Sequence, residues 1–97
     1  MAVIETVTFR LAPGWDEATF LAVDRRVQTE FTYQQPGVLR RTTARGPDGD
    51  WIVIVLWRAV TDADAAAERS AAHPVTAEFS ALLDDATVQT RRYELLD

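Results

Sequence analysis

One carboxylate stands where an apolar side chain is expected. Asp24 lies in a segment whose Phe20, Val23, Val27 and Phe31 recur at helical spacing. At about 100° per residue it falls about 40° from Phe20 and about 20° from Phe31, inside the apolar stripe. A carboxylate there has to be paired, because losing its hydration disfavours its charged form. Asp24 therefore reads in one of three ways. It is a general base in a cavity, placed to take a proton from an acidic phenol or enol; the ion-pair partner of a sheet arginine, Arg41 or Arg92; or a rim residue that still reaches water. His73 is the single histidine, the one side chain that titrates near neutrality without perturbation. It reads as an acid–base residue or a haem axial ligand, or as an N-cap preceding Pro74. A lone imidazole falls short of a zinc ligand set, so no metal is assigned.

Trp51 and Trp57 alternate with Val53 and Val55 and so share one face of a strand. Trp57 serves either as a wall that stacks on a planar ligand or as core. Phe20 and Phe31 are candidate apolar walls, and Tyr93 and Arg41 candidate polar contacts for a substrate. The chain has no Cys, no Lys and no Asn; all ten of its basic residues are Arg. Thiol chemistry, disulfides and Schiff-base catalysis are thereby excluded. A net charge of −5 disfavours nucleic acid and anionic membranes as partners, since both are drawn by basic fields. Gly-rich phosphate loops, HExxH and GxSxG motifs are absent.

The elements that must position these residues follow from periodicity and turn chemistry. The 97 residues make one domain. No stretch approaches a membrane span, and Met1–Glu5 lacks the marks of a signal peptide, which points to the cytoplasm. A strand is expected over 3–11, ended by Pro13-Gly14. A helix follows from about Asp16, its N-cap, to Gln35, where Pro36 stops it. Strands at 38–45 and 51–60 flank Pro47-Asp48-Gly49-Asp50, read as a tight hairpin turn. Thr61 to Asp64 matches a capping box opening a helix from Asp62 to about Ala72. Pro74 starts a third helix bearing Val75, Phe79, Leu82 and Leu83, and 87–96 closes as a strand. The series is a ferredoxin-like α+β βαββαβ domain, with a four-stranded antiparallel sheet and its first and third strands central.

Residues 52–56, Ile-Val-Ile-Val-Leu, are apolar on both faces. Helices cover one face only, and a solvated face should alternate with polar residues. Ile52, Ile54 and Leu56, or their opposite set, then need a second cover, and the same face of another copy supplies it in a sheet-on-sheet homodimer.

The element order, the doubly apolar third strand ending in Leu56-Trp57-Arg58, the Ala-rich helix after it and the Phe79-bearing helix resemble the antibiotic-biosynthesis-monooxygenase-like family of dimeric α+β barrel proteins. The resemblance runs from about Val3 to Tyr93. It implies a homodimer with a ligand cavity between helices and sheet in each subunit, and oxygenation of a small aromatic or polyketide-like substrate without metal or flavin. Cyclases, isomerases and non-catalytic binding proteins share the scaffold. The sequence also departs from that pattern. It has no counterpart of the cavity Asn of family members that oxidise anthrones or degrade haem. The helix after Trp57 reads Ala67-Glu68-Arg69-Ser70 where many relatives carry a His.

Overall fold

A computed structural model describes all residues, 1–97. Four strands, β1 (Val3–Arg10), β2 (Val38–Arg45), β3 (Asp50–Trp57) and β4 (Gln89–Glu94), form one antiparallel sheet in the order β2-β3-β1-β4. β1 and β3 are central, as the pattern requires. Helices α1 (Glu17–Glu30), α2 (Val60–Ser70) and α3 (Pro74–Ala81) provide the second layer. The fold is ferredoxin-like α+β, and no helix is long and apolar enough to cross a membrane.

The helices cover the tryptophan face. Trp51, Val53, Val55 and Trp57 are buried, whereas Ile52, Ile54 and Leu56 on the opposite face are only partly covered. Pairing in register extends that second face across the sheet. Ile4 lies beside Leu56 and Tyr93, Thr6 beside Ile54 and Arg91, and Arg40 beside Leu56. On the helix side, Phe9, Phe20, Trp51 and Phe79 form an aromatic cluster with ring centroids 4.7 to 5.8 Å apart. These tilted and edge-on contacts add to the stabilisation from burial alone.

Several element ends differ from the sequence reading, each for a local reason. Asp16 caps α1, accepting the Thr19 N–H at 2.7 Å, but the helix ends at Glu30. Phe31 leaves helical geometry at φ −123°, and Thr32–Gln34 tighten into a 3₁₀ turn. The Tyr33 hydroxyl accepts the Arg41 N–H at 2.9 Å and donates to the Arg41 carbonyl at 3.2 Å, tying that turn to β2. α2 begins two residues before the expected position. Ala59 is its N-cap and makes no side-chain capping bond, so the capping box at Thr61 does not form. The chain has already turned at Arg58, whose N–H donates to the Gly37 carbonyl at 2.8 Å. The β2–β3 connection is a looser loop, closed by the Gly46 N–H on the Asp50 carbonyl. Only Gly49 in it adopts positive φ, whereas a tight Asp-Gly turn would need Asp48 there too.

Candidate functional site

A cavity of about 310 Å³ lies between the sheet and the helices. Its floor is the helix-side face of the central strands, Glu5 and Val7 of β1 with Val55 and Trp57 of β3. Val27 and Phe31 close it at the end of α1, and Thr76 and Phe79 come from α3. α2 contributes only small side chains, Ala63, Ala66, Ala67 and Ser70. The empty space therefore comes from composition: a helix can pack closely on a sheet through alanine and still leave room above the strands. The mouth lies at the exposed Ala67, Ser80 and Thr90. The volume is at the small end of the range for ligand sites, roughly 300–1,000 Å³.

Trp57 supplies the site's most telling feature. The residue is 3% exposed, lines the cavity, and its indole N–H is buried with no hydrogen-bond acceptor. A buried, unpaired donor costs about 1–3 kcal/mol. Such donors are rare in native interiors.

The structure brings together only some of the residues singled out by sequence. Trp57 and Phe31 line the cavity. Phe20, fully buried, belongs to the aromatic cluster and not to the cavity wall. Asp24 and Arg41 form a buried ion pair, Nη2 to Oδ1 at 2.7 Å, one of the three arrangements the sequence left open for Asp24. Thr43 donates to the same carboxylate oxygen at 3.1 Å. Arg41 also donates to Gln28 at 3.3 Å, and its guanidinium lies 5.7 Å from the Phe79 ring centroid. Neither Asp24 nor Arg41 lines the cavity; both border a separate polar depression with Leu21, Gln28 and Tyr33. His73 is the N-cap of α3, its Nδ1 accepting the Val75 N–H at 3.2 Å. Its ring packs edge-on against Phe31 and does not reach the cavity lining. Tyr93, half exposed, is on the opposite face of the sheet, because its register partner is Ile4.

Sequence reading missed Glu5, the only carboxylate in the lining. The signal was present. Val3, Glu5, Val7 and Phe9 occupy alternate positions on one strand face, so Glu5 interrupts an apolar face of β1 as Asp24 interrupts one of α1. Its Oε2 accepts Arg92 Nε at 2.9 Å, and Arg92 Nη1 donates to Asp64 of α2 at 2.5 Å. The bonds to Asp64 first and Glu5 second strengthen the hold of Arg92 on its proton. No group of three or more acidic, His or Cys side chains is gathered to hold a metal ion.

No protein-family profile and no curated protein sequence matches the chain. Solved structures do. SnoaB, a cofactor-independent oxygenase from Streptomyces nogalater, superposes with a TM-score of 0.81 at 21% identity, over 99% of this chain and 94% of that one. A Bordetella bronchiseptica protein named provisionally as an antibiotic biosynthesis monooxygenase gives 0.79 at 16%, over 98% and 97%. Rv0793 from Mycobacterium tuberculosis gives 0.73 at 18%, over 100% and 97%. At these identities the likeness is one of fold, and it extends over the whole chain.

Proposed function

We propose that the protein is a cofactor-independent monooxygenase for a small, planar, electron-rich aromatic metabolite of the anthrone kind, working as a homodimer. The observation that carries this reading is the unpartnered indole N–H of Trp57 in the wall of a mainly apolar cavity. Such a site accepts a flat ring carrying an oxygen. Phe31, Val55 and Phe79 of the lining offer apolar surface to the ring, and the N–H is free to meet the oxygen. Loss of a proton from the substrate's activated CH₂ places negative charge on that oxygen, and a donor fixed in a water-poor site strengthens as the charge develops. The resulting carbanion reduces dioxygen directly. Overall the CH₂ and O₂ become C=O and water, so no metal or flavin is required. The donor role of a cavity Asn, which this chain lacks, falls to Trp57. The same fold in a cofactor-independent oxygenase supports the reading.

The aliphatic strip Ile4, Ile52, Ile54 and Leu56, facing away from the helices, supports the homodimer. A two-layer domain has nothing of its own to cover that face, and at roughly 25 cal/mol per Å² its burial against a twin favours association.

Oxygen uptake with dithranol and a series of substituted anthrones tests the activity. The expected result is consumption of one O₂ per ketone formed, well above autoxidation in buffer. Tight dithranol binding with uptake no faster than buffer would leave a non-catalytic binding protein in place of the enzyme.

A further inference from the structure

We propose that Glu5 is the proton acceptor of this cavity and that Arg92 is the positioning residue that aims it, an assignment that rests on the oxygenase reading. Register fixes the geometry. Glu5 pairs with Val55, and Trp57 follows two residues on along the same face of β3. Glu5 and Trp57 are thus diagonal neighbours on the cavity floor, about 7–8 Å apart in a ladder of this kind. A ring whose oxygen meets the indole N–H then lies with its methylene, on the far side of the ring from that oxygen, over the carboxylate.

The Glu5 side chain is 18% exposed. Arg92 engages only Oε2, and Oε1 takes part in no hydrogen bond. The other arm of Arg92 donates to Asp64 of α2, so the guanidinium bridges the strand and the helix. It also does not neutralise Glu5 by itself. One guanidinium is shared by two carboxylates, so the formal charge of the Glu5–Arg92–Asp64 group is −1. The other polar side chains of the lining, Thr32, Ser70, Thr76, Ser80 and Thr90, are uncharged. In the step itself the substrate C–H bond breaks, the proton passes to Oε1, and the electron pair moves onto the ring oxygen facing Trp57.

Proton abstraction can be read without oxygen. Under nitrogen in heavy water, the full-length protein should speed deuterium incorporation into the methylene of dithranol. Glu5→Gln should lose about 10²-fold or more of that acceleration, while dithranol still quenches tryptophan fluorescence with unchanged affinity. Arg92→Leu should lower kcat with KM held within about twofold, the pattern of a misaimed base, and Arg92→Lys should restore part of the rate. If Glu5→Gln fails to fold, Glu5→Asp carries the test: slower exchange at retained dithranol binding is expected. Unaltered exchange in a folded Glu5 variant overturns the assignment, as does a wild type that exchanges no faster than buffer. Exchange that depends on Glu5 but is accompanied by no oxygen uptake sinks the oxygenase reading alone.

Discussion

Replacing Arg41 by Met is the sharpest test of what Asp24 does. The side chains of Arg41 and Asp24 are 3% and 10% exposed, so water screens the pair little. In Arg41→Met the Asp24 carboxylate keeps only the Thr43 hydroxyl at 3.1 Å. Leaving one partner of a buried ion pair uncompensated costs about 3–5 kcal/mol. At about 4–8 °C per kcal/mol for a domain of this size, Tm falls by roughly 12–40 °C. Asp24→Leu alone strands Arg41 with Gln28 and Thr43 at the long distances of 3.3 and 3.4 Å and should cost a similar amount. The double variant Asp24→Leu/Arg41→Met removes both charges at once and is expected near wild-type stability or above it, by up to about 4 kcal/mol. Urea unfolding of all four proteins at one protein concentration gives the coupling, since the stability of the proposed dimer would depend on concentration. The double variant should also keep oxygen uptake, because neither residue lines the cavity. A cost below about 1 kcal/mol for Arg41→Met would refute the reasoning, and loss of uptake in a well-folded double variant would return Asp24 to the chemistry.

Three further outcomes are expected. Trp57→Phe removes the unpaired donor and should weaken dithranol binding about 2- to 13-fold, the worth of one neutral hydrogen bond at about 0.5–1.5 kcal/mol; unchanged affinity by fluorescence titration would show that the N–H does not meet the ligand. Ile54→Glu places a charge in the aliphatic strip and should convert dimer to folded monomer in sedimentation equilibrium, and a wild type already monomeric at micromolar concentration would contradict the assembly. The Thr19 N–H holds the Asp16 carboxyl below its usual range. The stabilisation from this cap is therefore present above the unfolded value of about 3.9 and is lost as pH falls through the lower folded value. Melting Asp16→Ala beside the wild type should show a gap of a few degrees that holds at neutral pH and closes only in strong acid; a gap that closes by pH about 6 would point to another group.

The architecture could be read from alternation because a strand buried on both faces is hard to disguise, and residues 52–56 placed β3 at the centre. Element ends were less visible. Phe31 continues the stripe of α1, so periodicity carried the helix past Glu30, while a 3₁₀ turn docked by Tyr33 completes the same apolar face. Val60 looked like the end of a strand, yet it opens α2, half exposed. The site was legible in part. Trp57 and Phe31, singled out by type and spacing, line the cavity, whereas Asp24, Arg41 and His73 are held outside its lining by other contacts. An ion-paired carboxylate on an apolar face has the same sequence signature whether it lines a cavity or lies apart from one. Tertiary contacts alone separate the two, as Glu5 and Asp24 illustrate.

The short side chains of α2 have an evolutionary consequence. Because Ala63, Ala66 and Ala67 hollow out the chamber without any distortion of the main chain, its capacity is set by a few methyl groups. Exchanging one for Val or Leu trims the space, and exchanging one for Gly enlarges it, while the strands, the indole donor and the Glu5 arm keep their places. A lineage built on this frame can change the bulk of the molecule its chamber has room for in single mutational steps.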